Sequence, residues 1–76
     1  MDAIVMSFDN DEASALPTGT AEVDIKGLVG KKVEYVDHSE KTWNGVVTGI
    51  DGSYIKIKFE GAPTSLGQGQ IVEIKD

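Results

Sequence analysis

The feature that most constrains the fold is the stretch over residues 43–59, W-N-G-V-V-T-G-I-D-G-S-Y-I-K-I-K-F, in which two β-prone runs flank Asp51-Gly52. An Asp-Gly pair between such runs is typical of a two-residue type I′ hairpin turn, whose central residues both take positive φ. We therefore predict a β-hairpin with Asp51 and Gly52 at its turn. Counting outward from the turn predicts three facing pairs, namely Ile50 with Ser53, Thr48 with Ile55, and Val46 with Ile57.

The two faces of this hairpin differ in polarity, because side chains alternate along a strand. The predicted pairs share one face with Phe59, and Ile55 and Ile57 make this face apolar. The other face carries Val47 beside Lys56, together with glycines, a tyrosine and a further lysine. One apolar and one solvated face are what a strand pair needs in order to form one side of a small β-core.

The chain has 76 residues, which is enough for one domain, and such a chain buries only about 60% of its unfolded surface. It has no cysteine, so neither a disulfide nor a thiolate metal site can supplement a thin core. No apolar run approaches the roughly 18 residues of a membrane span, and the acidic N-terminal stretch lacks the basic region of a signal peptide. We therefore expect a location in the cytoplasm, or within a virion or similar assembly, rather than secretion.

The formal net charge of −6 falls entirely on the first third of the chain. Residues 1–25 hold six acids and no lysine, whereas residues 26–76 hold seven acids and seven lysines. We therefore predict an acidic N-terminal arm over residues 1–25, flexible or ordered by a partner, and a small barrel domain over residues 26–76. Every basic residue is a lysine. Without the planar fork of arginine, nucleic-acid binding is disfavoured.

The rest of the chain shows short strands and loops, without helical periodicity over three turns. Ala3–Phe8 alternates weakly, which predicts either a short edge strand or a terminus that orders only against a partner. The remaining predicted elements are a loop over 9–20, a strand or extended lead-in over 21–25, a strand over 31–37 with Val33 and Tyr35 on one side, a polar loop over 37–41, a turn over 60–63, a short 3₁₀ turn within 64–70 and a final strand over 71–75. This order predicts an all-β fold, a small SH3-like or Tudor-like barrel of about five strands.

Four segments resemble one known barrel family, namely L-V-G-K-K-V-E-Y over 28–35, G-V-V-T-G-I over 45–50, I-K-I over 55–57 and I-V-E-I over 71–74. Their order resembles the Tudor/SH3-like barrel of flagellar hook-capping (hook assembly scaffold) proteins. The resemblance covers residues 28–75 and implies a small barrel that works inside a flagellar-type assembly. The C-terminal barrel of biotin protein ligases and the KOW barrels of translation proteins show a similar G-x-V spacing. The sequence departs from a full hook cap, which has a long amphipathic N-terminal region and an inserted second domain.

Residues able to carry catalysis are few. His38 is the only histidine and lies beside Asp37 and Ser39 in a polar loop. A catalytic triad is assembled in space from separated segments, so this run of neighbours predicts a surface loop. The cluster D-N-D-E over 9–12 lacks the spacing of a calcium-binding loop. We therefore expect no enzymatic activity, no metal site and no cofactor.

The aromatic residues offer better candidates for binding. Trp43 stands at a loop–strand junction, where it would form either a lid on the barrel end or the anchor of a peptide-binding groove with His38 and Glu40 at its rim. Tyr54 lies opposite Gly49 in the predicted register and covers that glycine. The acidic arm adds three apolar side chains beside its acids. The predicted partner-binding residues are Ile4, Met6, Phe8, Asp9, Asp11, Glu12, His38, Trp43 and Tyr54.

These observations favour a non-enzymatic protein–protein interaction module, a structural component of a larger assembly of the phage or flagellar type. In this hypothesis the barrel is a rigid platform and the arm an adaptable strap. The alternative is a small viral or mobile-element inhibitor, whose acidic arm mimics nucleic acid in a basic cleft of its target. Either function implies protein partners, basic ones in particular. Both leave a homo-oligomer open and involve neither nucleic acid nor a membrane.

Overall fold

A computed structural model describes residues 1–9, 12–18, 22–61 and 66–75 of the chain. Within these ranges the elements are β1 (Asp2–Asp9), β2 (Glu12–Pro17), a 3₁₀ helix (Glu22–Leu28), β3 (Lys32–Val36), β4 (Thr42–Asp51), β5 (Tyr54–Phe59) and β6 (Ile71–Lys75). The prediction of an all-β fold is confirmed. In the part of the chain that is described, no helix has the length and apolar character needed to cross a membrane.

The strands pair antiparallel in the order β1-β2-β5-β4-β3-β6, and β6 pairs with β1 to close the barrel. Closure gives every strand a hydrogen-bonded neighbour on each side, which removes the free edges that would otherwise promote aggregation. The described residues contribute six strands, where the sequence predicted about five. The additional strand comes from the N-terminal region.

The predicted division at residue 25 into an arm and a barrel is wrong. Asp2–Asp9 and Glu12–Pro17 form a hairpin that pairs with β6 on one side and with β5 on the other. Its alternate residues are fully buried and form part of the core, namely Ala3, Val5, Ala13 and Ala15. The loop predicted over 9–20 is therefore a strand over 12–17. Small alanines gave a weak hydrophobic signal, but they fit the crowded interior of a narrow barrel.

The strand or lead-in predicted over 21–25 is also corrected, since Glu22–Leu28 forms a 3₁₀ helix. Ile25 and Leu28 are both buried and lie three residues apart. In a 3₁₀ helix residues at this spacing lie one above the other, so both side chains reach the barrel core from one side. The buried residues of this segment are therefore spaced by three, as in a 3₁₀ helix, and not by two, as in a strand.

The β4–β5 hairpin forms as predicted, but its turn lies one residue later. Asp51 pairs with Tyr54 and Ile50 with Ile55, which leaves Gly52 and Ser53 as the two loop residues. Gly52 has a φ of 62°, while Ser53 is not in the left-handed region. Glycine at the first of two loop positions is the pattern of a type II′ turn rather than type I′. The facing pairs that were predicted from a turn at Asp51 and Gly52 are therefore wrong.

A β-bulge at Thr48 changes which side of β4 faces the core. The register shifts between Val47 and Gly49, so that Val47 pairs with Ile57 and is buried while Val46 is exposed. These two valines thus have the opposite orientation to the predicted one, because one extra residue in a strand reverses the facing of everything beyond it. In β5 the predicted orientation is confirmed. Ile55, Ile57 and Phe59 are buried between outward-facing lysines.

Strands β3 and β6 follow their predictions closely. Val33 and Tyr35 are buried on one side of β3, and Val72 and Ile74 are buried on one side of β6. The two strands pair with each other and connect the meander β3–β4–β5 to the N-terminal hairpin. The outer face of this junction carries the surface described next.

Candidate interaction surface

An apolar row runs across the outside of the barrel. Ile4 in β1 pairs with Leu16 in β2 on one side and with Ile71 in β6 on the other. Ile4 points outward, because the residues that flank it in β1 are buried. Leu16 is 38% exposed and Ile71 is 51% exposed. Three adjacent strands therefore present large aliphatic side chains side by side to solvent.

Val36 extends this row to a fourth strand. It is the last residue of β3, the next neighbour of β6, and it is 56% exposed. Val36 and Ile71 line the same shallow depression of about 210 Å³. We call Leu16, Ile4, Ile71 and Val36 the apolar row; it crosses β2, β1, β6 and β3 in that order.

A row of carboxylates runs beside the apolar row. Asp2 pairs with Glu73, and Glu73 pairs with Glu34 on its other side. These residues, which we call the acidic row, stand two positions from Ile4, Ile71 and Val36 along β1, β6 and β3. Two positions along a strand keep the side chains on one face and correspond to about 7 Å.

Lys75 binds two members of the acidic row. Its Nζ lies 2.9 Å from Oε1 of Glu73 and 4.0 Å from Oε1 of Glu34. The hydrogen bond from Lys75 holds the pKa of the Glu73 carboxyl below its ordinary value. The same bond raises the pKa of the Lys75 ammonium. Both groups are therefore charged at neutral pH.

Trp43 is engaged within the chain. Its indole Nε1 donates a hydrogen bond of 3.0 Å to Oδ2 of Asp37, and Nζ of Lys41 lies 4.1 Å from the centre of its ring. Gly61 lies against the ring edge, where a Cβ on this glycine would stand 3.1 Å from Cζ3. Trp43 packs on the core at the barrel end. The polar tip and one ring face that an anchoring tryptophan would offer to a peptide are thus used internally.

Asp37 organises the loop before Trp43. Its Oδ1 accepts hydrogen bonds from the backbone N–H of Ser39 at 2.9 Å and of Lys41 at 3.0 Å. The bond from Trp43, together with these two, holds the pKa of the Asp37 carboxyl below its ordinary value. Glu40 takes a φ of 64° to complete the turn, and its N–H donates to the carbonyl of Asp37. His38 is exposed beside it.

The predicted strap of Ile4, Met6 and Phe8 does not form one face. Met6 is the extra residue of a bulge between Val5 and Ser7, which reverses the facing of β1. Ile4 therefore points outward, while Phe8 turns inward and meets Phe59 edge-on at 6.3 Å between ring centres. The structure brings only Ile4 of these three into the apolar row.

The other predicted binding residues are dispersed over the barrel. Asp9 and Glu12 pair at the end of the β1–β2 hairpin and are exposed, while Asp11 lies outside the described residues. Tyr54 is exposed but pairs with Asp51 at the far turn, so it does not cover Gly49 as predicted. Sequence interpretation missed most of the two rows. The available signal was Ile71 and Glu73 on one face of the final strand, since Val72 and Ile74 occupy the other.

A second depression lies on the outer face of β3, β4 and β5. It measures about 380 Å³ and is lined by Lys32, Asn44, Gly45, Val46, Lys58 and Glu60. Its charges are mixed, and Val46 pairs with both lysines across the strands. Among residues 1–9, 12–18, 22–61 and 66–75, no three His, Cys, Asp or Glu side chains are grouped so that they could hold a metal ion.

The fold and surface define a class, a small closed antiparallel β-barrel with an exposed apolar row bordered by carboxylates. Comparison with protein-family models gives no match, and comparison with curated proteins gives none either. What the protein does is therefore inferred from its surface.

Proposed function

We propose that this barrel is a non-enzymatic protein–protein interaction module, which docks onto a partner through the outer face of β2, β1, β6 and β3. The observation that carries the proposal is the apolar row of Leu16, Ile4, Ile71 and Val36. Single exposed aliphatic residues are normal on any protein surface, whereas a contiguous set with a polar rim is typical of an interaction site. Elsewhere on the strands Val46 is exposed between two lysines.

The size of the row sets its contribution to binding. Complete burial of an aliphatic side chain contributes about 1.5–3 kcal/mol, and these side chains are already partly covered, so each adds roughly half of that. Association costs several kcal/mol, so the row needs polar contacts around it for stable docking. The acidic row is placed to supply them. The four residues of the row lie on strands that are already hydrogen-bonded in the closed barrel, so their backbone needs no ordering on binding.

We place this docking in a larger assembly in the cytoplasm or inside a particle, of the phage or flagellar type that the sequence suggested. The closed hydrogen-bonded sheet and the small size of the barrel support a structural role there. The alternative inhibitor required an extended acidic arm to occupy a basic cleft. Residues Asp2, Asp9 and Glu12 lie on strands of the barrel, which counts against such an arm.

A matched pair of valines tests the proposal. Val36 lies in the apolar row and Val46 lies outside it, yet both are exposed on the outer face of a strand. Affinity capture from the source cells, with identification by mass spectrometry, is compared for wild type, V36S/I71S and V46S. The partner is then purified and its dissociation constant is measured. We expect V36S/I71S to lose the partner and V46S to retain it. A folded V36S/I71S variant that binds as tightly as wild type would refute the docking face.

A further inference from the structure

We propose that the partner presents apolar side chains beside a line of lysine or arginine, about 7 Å away from them. This inference rests on the proposed docking face and adds the chemistry of what docks there. The acidic row follows the apolar row at a constant spacing on β1, β6 and β3. A partner that buries the apolar row must therefore place something over Asp2, Glu73 and Glu34.

The charge of the acidic row determines which kind of partner group can lie over these three carboxylates. Three carboxylates meet two ammonium groups, those of Lys75 and the terminal amine of Met1, and Glu73 is influenced by both. Counting these groups alone, one negative charge of the row is not matched, while Lys32 stands two positions from Glu34 at the end of the row that is closer to Lys75. Like charges directly across from each other destabilise a sheet, and here Glu73 has a carboxylate on each side. A cation from the partner relieves this repulsion, whereas an acidic or apolar group would desolvate it.

The spacing predicts the form of the partner segment. In an extended segment, residues two apart lie on one face at about 7 Å, so an apolar residue would be followed by Lys or Arg at the second position. On a helix, residues three or four apart lie about 5–6 Å from each other and give a similar match. Either segment lays its apolar side chain beside Ile71 and its cation over Glu73.

A second copy of this chain fits the face poorly. Two copies whose apolar rows run antiparallel to one another place acidic row on acidic row, and the formal net charge of −6 opposes any pairing of two copies. The lysines that could compensate, Lys32 and Lys75, pair with each other on the far side of the acidic row. Moving them onto a copy's carboxylates would separate the two apolar rows.

Selection from a random-peptide library displayed on yeast tests the inference. The wild-type barrel is the labelled bait, and peptides that also bind V36S/I71S are removed. We expect the enriched peptides to combine apolar residues with Lys or Arg at the spacings above. Their affinity should fall about fivefold or more for E34Q/E73Q and should weaken with added salt. The control variant D51N/E60Q removes two exposed carboxylates away from the face and should bind like wild type.

The outcomes separate the inference from the proposed function. Enriched peptides that need the apolar row but carry no excess of basic residues, or that bind E34Q/E73Q as well as wild type, would overturn the inference and leave the docking face in place. Failure to enrich any peptide dependent on the apolar row would count against both. Analytical ultracentrifugation adds one more result. A wild-type dimer that V36S/I71S converts to a monomer would make the occupant a second copy and overturn the inference.

Discussion

The indole N–H of Trp43 donates a hydrogen bond to one carboxylate oxygen of Asp37. The other oxygen of Asp37 accepts hydrogen bonds from two backbone N–H groups of the loop between the two residues. One side chain therefore fixes the loop between β3 and β4 and the tryptophan that covers the barrel end. A polar residue controls the packing of an aromatic one. The loop conformation includes the left-handed backbone at Glu40, which the rest of the turn must hold in place.

We expect Asp37→Ala to lower the melting temperature of the barrel and to increase solvent access to Trp43. The substitution leaves the indole N–H and two loop N–H groups without their acceptor. Circular dichroism and tryptophan fluorescence measure the two effects. Ser39→Ala is the matched control, because Ser39 contributes its backbone N–H to Asp37 and keeps it in this variant. If both variants melt like wild type, Asp37 does not organise the loop.

The lowered pKa of Asp37 predicts a loss of stability in acid. The folded state holds this carboxyl ionised below its ordinary value of 3.8, so its contribution is complete above that pH and is lost as the pH falls through the lower folded value. Glu73 acts in the same direction from its ordinary value of 4.5. Thermal unfolding from neutral pH down into this range should show a falling melting temperature. Asp37→Asn should have a shallower decline, and an identical slope would contradict the assignment.

Substitution by alanine should affect stability in different ways at Gly45 and Gly49, two glycines of β4. A Cβ on Gly45 would lie 2.8 Å from the backbone oxygen of Lys58 and 3.0 Å from Cδ1 of Phe59, whereas a Cβ on Gly49 would meet nothing within 4 Å. Gly45→Ala should therefore destabilise the barrel by about 1–3 kcal/mol, since the backbone must shift. Gly49→Ala should be neutral or stabilising by up to about 1 kcal/mol. Urea unfolding measures both, and equal effects would show that β4 is not placed as described.

Removal of residues 1–18 should abolish folding rather than leave a stable barrel. Strands β1 and β2 close the sheet between β6 and β5 and bury Ala3, Val5 and Ala15 in the core. Without them two strand edges and the core are open to solvent. Circular dichroism and heteronuclear NMR of the truncated chain check this. A truncated protein with dispersed amide signals and cooperative melting would restore the interpretation of this region as an arm.

The local pattern of the sequence was sufficient to predict some strands and the facing of their side chains, but not others. The alternation over Tyr54–Phe59 is strong enough to predict the facing of β5, because buried isoleucines alternate with lysines. In Glu12–Pro17 the inward residues are alanines, whose small apolar surface gives no comparable signal. In β4 the alternation is interrupted at Thr48, where a bulge changes the facing; Gly49 stands next to the bulge, but a glycine in a strand does not by itself fix where the register shifts.

The candidate site was harder to predict, because its residues come from strands that are far apart in the sequence. Ile4 and Ile71 each have an ordinary place in an alternating strand, and nothing near either one indicates the other. Only closure of the barrel by β1 and β6 makes them neighbours. The predicted binding residues were chosen from clusters along the sequence, and the structure disperses those clusters over both ends of the barrel.

The pairing of β1 with β6 has a consequence for the timing of function. The N–H of Ile74 donates to the carbonyl of Met1 at 2.6 Å, so β6, which is synthesised after β1–β5, completes the ladder with β1. A chain still lacking β6 has neither Ile71 nor Glu73 and no neighbour to hold Ile4 against Val36. Closing a loop of this length costs chain entropy before the β1–β6 contacts can offset it. If the docking face functions as proposed, a nascent polypeptide should not bind the partner before β6 has been synthesised.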